Sequence, residues 1–189
     1  MTRIILASSS IYRKQLLSRI TTGFDCISPA VNESPKERET AQDLAARLAI
    51  EKAAKVSEQK PNFWIIGSDQ TADFEGRLIG KPGSVQNAEA QLRDFSGKEV
   101  IFYTAVCLLN KNSRYMQSEV VITSVKFRTL QQDEIAAYLA ADLPLDCAGS
   151  FRCESLGISL FDSIESADPT ALVGLPLITV ARFMREVGI

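Results

Sequence analysis

The chain contains no histidine. That absence removes the Ser-His-Asp and Cys-His nucleophilic pairs, the HExxH zinc helix and any imidazole general base. Chemistry, if there is any, falls to carboxylates, lysines and a hard cation. The four cysteines (Cys26, Cys107, Cys147, Cys153) include no CxxC spacing, so neither a paired-cysteine zinc site nor a disulfide framework is expected. Buried free thiols are the expectation. No stretch approaches the roughly 18 apolar residues of a membrane helix, and the N-terminus lacks the basic, apolar and small-residue order of a signal peptide. A cytoplasmic, soluble protein is expected. Charge of one sign is also missing: Lys+Arg 21 stand against Asp+Glu 23, for a net charge of -2. With no block of like charges, no nucleic-acid polymer is expected as a partner.

What is present is enough apolar residue, 46% of 189, to bury one core, in a single domain over 1–189 with room for two lobes. The run RIILA at residues 3–7 reads as a buried strand, and residues 11–20 as a helix with Tyr12, Leu16 and Ile20 at helical spacing. A second strand is expected over 24–29, then a polar loop, then a helix over 41–58 capped by Thr40. Apolar positions 41, 44, 45, 48, 49, 53 and 56 form one stripe of that helix. FWIIG at 63–67 reads as a strand covered on both faces, ending at Ser68, Asp69 and Gln70. Residues 77–83 read as a turn and 84–96 as a helix capped by Ser84. Strands at 99–109 and 117–128 form an antiparallel pair. Thr129 and Gln132 suggest a capping box opening a helix over 132–140; a strand near 156–161 and a closing helix after Pro176 complete the chain. Helices alternating with strands, plus a hairpin, indicate a mixed α/β sheet.

Several polar residues sit where chemistry is possible. Lys52 points along the centre of an apolar stripe, so it either snorkels to water or reaches a buried anion. Asp69 follows a buried strand, which makes it a turn residue or a ligand at the strand end. Ser8–Ser10 fall between strand and helix, as an ordinary N-cap or as a phosphate cradle. GRLIGKPG is not a P-loop, because three residues rather than four separate Gly76 and Gly80 and proline stands where Ser or Thr would meet magnesium. Lys81 remains a possible phosphate contact. Glu33, in a loop, is a solvated carboxylate or one of a pair. Two carboxylates, two lysines, Arg13 and a serine turn are together what a magnesium-type phosphate site requires.

In order along the chain, LASSSIYRKQLL, the glutamate of VNES, RLAIEKA, IIGSDQ, GKP, CAGSF and VGLPL resemble the Maf family of house-cleaning nucleoside triphosphate pyrophosphatases. The resemblance runs from residue 3 to about 186. It implies an elongated α/β fold shared with inosine triphosphate pyrophosphatases, two lobes around a central cleft, often a homodimer, and cleavage of a nucleoside triphosphate to monophosphate and pyrophosphate. Within the family, the branch acting on thymidine and uridine triphosphates typically has arginine at the place of Tyr12, GADT for GSDQ, EKP for GKP and AGAYGIQG for AGSFRCES. This chain is instead similar to the 7-methyl-GTP branch, whose signature positions correspond to Tyr12, Gln70 and Glu154. The positive charge of N7-methylated guanine suits stacking on an aromatic face, and Glu154 and Gln70 suit its hydrogen-bonding edge. The chain departs from the family pattern at Ile11, Tyr12 and Asn32, where proline, tryptophan and aspartate are common.

On this reading Glu33 and Asp69 hold a divalent cation (Mg, Mn or Co), and Asp69 also accepts a proton from the attacking water. Ser8, Ser10 and Arg13 bind phosphate oxygens, and Lys52 and Lys81 neutralise charge on the leaving pyrophosphate. The alternatives are a dTTP/UTP pyrophosphatase of the same family and a nucleotide-binding regulator of septum formation.

Overall fold

The computed structural model describes residues 4–189; Arg3 of the expected first strand lies outside them. Strand β1 (Ile4–Ala7) is buried at every position. It pairs in parallel with β2 (Phe24–Cys26) on one side and with β3 (Trp64–Phe74) on the other, in the register Ile4↔Trp64 to Ala7↔Gly67. Both faces of a parallel interior strand are covered, which the unbroken apolar run IILA satisfies. The remaining strands are β4 (Arg77–Ile79), β5 (Glu99–Asn110), β6 (Tyr115–Phe127) and β7 (Phe161–Ser166). They complete a mixed sheet of order β2-β1-β3-β5-β6-β7, with β4 pairing β3. The helices are α1 (Ile11–Leu17), α2 (Ala41–Gln59), α3 (Val85–Phe95), α4 (Gln132–Asp142) and α5 (Leu177–Glu186).

The chain divides into two compact units: residues 4–70, Thr104–Val121 and Asp168–Ile189 form the first, and Thr71–Tyr103 with Ile122–Ala167 the second. In the first unit, alternate residues of the strands face opposite ways. Ile4, Leu6 and Ile66 join Leu16 and Leu17 of α1 and Val180, Phe183 and Met184 of α5 in one apolar cluster. The opposite face of β3 meets α2. Gly67 lies so close to that helix that a Cβ there would stand 2.1 Å from the Ala49 carbonyl and 2.9 Å from the Ala53 Cβ. Leu44, Leu48 and Val56 of the α2 stripe are buried as the periodicity requires, each worth about 2 kcal/mol of transfer from water. Thr40 caps α2 by accepting the Asp43 amide.

The second unit is built on phenylalanine. Phe127 packs against Phe95, Phe151 and Phe161 with ring centroids 5.4, 5.7 and 5.0 Å away, and Phe74 and Phe102 extend the cluster. Edge-to-face contacts of this kind add to the area buried. Ser84 caps α3 by accepting the Asn87 amide.

Several boundaries differ from expectation. The helix expected over 11–20 stops at Leu17, because Ser18 Oγ donates to the Gln15 carbonyl and the next turn closes with tighter bonds from Arg19 to Leu16 and from Ile20 to Leu17. The strand expected over 24–29 keeps only Phe24–Cys26, matching the short partner β1. The strand expected to end at Gly67 continues to Phe74, so Asp69 lies within a strand and not at its end. Polar residues there resemble a strand end in sequence, yet each finds a buried partner. RLI, expected as part of a turn, is the strand β4, joined to β3 by Glu75 and Gly76, both at positive φ. The box opening α4 is Gln131 with Glu134, whose carboxylate accepts the Gln131 amide at 2.9 Å, and not Thr129 with Gln132. The segment Leu156–Leu160 is a 3-10 turn, and the strand begins after it, at Phe161. All four cysteines are free, but only Cys107, inside β5, is buried; Cys26 ends an edge strand and is exposed.

Candidate active site

The alternation of β3 sorts its polar triplet. Ser68 and Gln70 share the face of Ile66, and Asp69 shares the face of Gly67, toward α2. Lys52 projects from α2 on that side, with its side chain only 7% exposed. Its Nζ lies 2.6 Å from Asp69 Oδ1 and 2.6 Å from Glu33 Oε1. Thus the lysine reaches two carboxylates, one of them buried, instead of snorkelling to water. Asp69 is nearly as buried as Lys52, at 11%, whereas Glu33 is 61% exposed and reaches in from the loop before α2. Asn32, where aspartate is common in the family, accepts the Ser34 amide at 3.0 Å, a turn bond that either residue can make.

On the other face of β3, Ser68 Oγ donates to the Gly174 carbonyl at 3.0 Å, and Arg13 Nε donates to the same oxygen at 2.8 Å. Gly174 has φ 117°, a backbone region that side-chain-bearing residues rarely adopt. Burial pushes the Arg13 pKa down, while the charges of Asp69 and Glu33 oppose that shift. Gln70 Nε2 donates to Thr104 Oγ1 at 2.9 Å and to the Ala171 and Leu172 carbonyls at 3.0 Å. Its amide nitrogen is therefore engaged in the fold.

Of the two forms open to the serine turn, these residues make the ordinary N-cap. Ser10 caps α1 by accepting the Arg13 amide at 3.4 Å, and Ser8 Oγ accepts the Ser10 amide at 3.1 Å. β1 ends at Ala7, paired with Gly67, so Ser8 leaves the sheet one residue short of the level of Asp69. Tyr12 is half-buried on α1. The first unit thus brings together Glu33, Lys52 and Asp69.

Lys81 and Glu154 belong to the second unit. Lys81 is exposed in a loop fastened by Asn87 Nδ2 to the Pro82 carbonyl at 2.8 Å and by the Gly83 amide to the Leu145 carbonyl at 3.1 Å. Glu154 is exposed and accepts the Cys153 thiol at 3.4 Å. Burial pushes the Cys153 and Cys107 thiols up to about 12 and Cys147 to about 11, so none is a thiolate nucleophile near neutrality.

Among the described residues, no group of three or more His, Cys, Asp or Glu side chains is placed to hold a metal ion. Glu33 and Asp69 nonetheless fit a hard divalent cation shared with a phosphate ligand. Magnesium is commonly held by one or two carboxylates, with phosphate oxygens and water filling the other positions. The Lys52 ammonium lies 2.6 Å from both carboxylates.

The family model described as "Maf-like protein" matches residues 3–187. The chain belongs to the Maf family. Maf relatives match along essentially their whole length. A 7-methyl-GTP pyrophosphatase of Xanthomonas oryzae pv. oryzae is 53% identical over 188 residues, 100% of this chain and 98% of its own. The protein of the same name from Aromatoleum aromaticum is 47% identical, covering 99% of this chain and 96% of its own. Among solved structures, the Staphylococcus aureus Ham1 protein aligns over 68% of this chain and 73% of its own, at 15% identity and a TM-score of 0.49. No helix among the described residues is long and apolar enough to cross a membrane.

Sequence reading of this Maf chain missed the fastenings behind the site. Asp168, 2% exposed, accepts the Thr170 amide and hydroxyl at 2.9 and 2.7 Å and the Ile178 amide at 2.6 Å. The one Thr170 hydroxyl proton is shared between Asp168 and the Leu175 carbonyl, and its oxygen accepts the Leu177 amide. These bonds fix the Ala171–Gly174 turn that receives Gln70, Ser68 and Arg13. The Asp-Pro-Thr triplet ahead of VGLP was the available signal, since Asp and Thr make such turns.

Proposed function

We propose that the protein hydrolyses 7-methyl-GTP to 7-methyl-GMP and pyrophosphate, as a cytoplasmic nucleoside triphosphate pyrophosphatase using a divalent cation (Mg, Mn or Co). The observation that carries the chemistry is the convergence of Glu33 and Asp69 on buried Lys52. The choice of base is supported by the names of the full-length relatives.

In the reaction, water oxygen bonds to the α-phosphorus, the bond from that phosphorus to the bridging oxygen breaks, and pyrophosphate leaves. Asp69 takes the proton released by the water. Glu33 and Asp69 are the residues that would hold the cation, which when bound supplies charge neutralisation and a more acidic water. Lys52 keeps the two carboxylates together before substrate arrives and then offsets negative charge on the phosphates. Ser8, Ser10 and Arg13 bind phosphate oxygens, with Arg13 held by its Nε on the Gly174 carbonyl. Tyr12 stacks on the positively charged base, and the Gln70 amide oxygen accepts from it. Lys81, as a second cation on the pyrophosphate, and Glu154, as acceptor for the guanine edge, are assigned on family resemblance alone.

Substituting Asp69→Asn tests the chemical assignment. Loss of proton acceptance and of one carboxylate lowers kcat by about a thousandfold or more, while nucleotide affinity, measured by calorimetry, stays within about tenfold. Wild-type turnover in Asp69→Asn would exclude the mechanism.

A further inference from the structure

Glu33 reaches Lys52 from a loop. Residues 27–36 lack regular structure, so the loop depends on individual fastenings. Arg47, five residues before Lys52 on α2 and 15% exposed, ties this loop to the helix both directly and through Glu39. Its Nε and Nη2 make a fork to the Glu39 carboxylate at 2.6 and 2.9 Å, and Nη2 also donates to the Ser34 carbonyl at 3.1 Å. Nη1 completes the set on Glu51 at 3.0 Å. Glu39 accepts the Lys36 amide at 2.8 Å, so one guanidinium spans the loop from the residue after Glu33 to the residue before the helix cap.

We propose that Arg47 is a positioning residue for the reaction, holding the Ser34–Glu39 segment against α2 so that the Glu33 carboxylate is delivered to Lys52 and the cation. Its kinetic part rests on the function proposed above; its structural part does not. Lysine cannot substitute, because one ammonium does not reproduce a planar fork with a further donor to a carbonyl. Arg47 is a buried-side residue of a long helix, whereas Glu33 is the exposed member of the carboxylate pair, and the exposed member is the one that needs a tether.

Arg47→Lys and Glu39→Gln provide independent tests, the second leaving α2 itself unaltered. Amide hydrogen exchange over residues 33–39 should accelerate by about tenfold or more in each variant, with the Lys52–Gln59 half of α2 unchanged. In pyrophosphate release from 7-methyl-GTP, kcat should fall about tenfold or more with KM within about threefold. Combined with Glu33→Gln, the same substitutions should cost almost nothing further, since they act through Glu33. Unchanged exchange in both variants, or a kcat loss that persists in full on the Glu33→Gln background, overturns the proposal. If wild-type protein releases no pyrophosphate, the functional reading fails, and exchange over residues 33–39 alone decides for or against the tether.

Discussion

A lysine on the buried stripe of a helix is tolerable only if its charge is answered where it stops. Lys52 meets two carboxylates, and the buried one, Asp69, depends on it most. Replacing Lys52 with methionine keeps the volume and leaves Asp69 unpaired, which costs about 3 kcal/mol, discounted toward the low end of the range because Glu33 can turn to water. For a chain of this size that is a drop in Tm of roughly 6–12 °C. Added Mg2+ should raise the Tm of Lys52→Met more than that of the wild type, because the divalent cation takes over the ammonium's position; equal shifts in differential scanning fluorimetry would contradict this. Which pole of Lys52 was answered, water or anion, could not be read from periodicity, since both use the same helix face. The partner became visible only once β3 was seen to pass through Asp69 without ending.

At the scale of elements, the site exists because α2 lies almost on β3. Gly67 permits that approach. Gly67→Ala would drive a methyl into the Ala49 carbonyl, forcing the helix outward and parting Lys52 from Asp69. The expected cost is about 3 kcal/mol, with a larger fractional loss of turnover than Ala substitution at the unconstrained Gly80 would give. Equal activity losses at the two glycines would refute the close-approach account. The loop before α2 has its own signature in acid. The Arg47 fork, aided by the Lys36 amide, holds the Glu39 carboxyl down at about 2, below the ordinary value near 4.3. The folded state is therefore the less protonated at this group. Its contribution to stability is present above about pH 4.3 and is lost as pH falls toward 2. Denaturant titrations should show Glu39→Gln with a flatter acid limb than wild type across that window and a parallel curve above it. Long amphipathic elements such as α2 and α3 were legible in the sequence because their stripes and caps agree. The polar middle of β3 and the 3-10 turn before β7 were not, since tertiary partners decide them.

At the scale of the molecule, two units carry separate cores, one aliphatic around β1, one built from phenylalanine. The mixed α/β class was legible from the alternation of elements. Family membership rests on a match along nearly the whole chain, which no single motif would have carried. The base is the most specific part of the account, and steady-state kinetics with direct identification of products tests it. With 7-methyl-GTP, GTP, UTP and dTTP assayed in parallel in Mg2+, the prediction is 7-methyl-GMP and pyrophosphate as products, with kcat/KM for 7-methyl-GTP about tenfold or more above each of the others. Preference for UTP or dTTP, or release of orthophosphate in place of pyrophosphate, would contradict it.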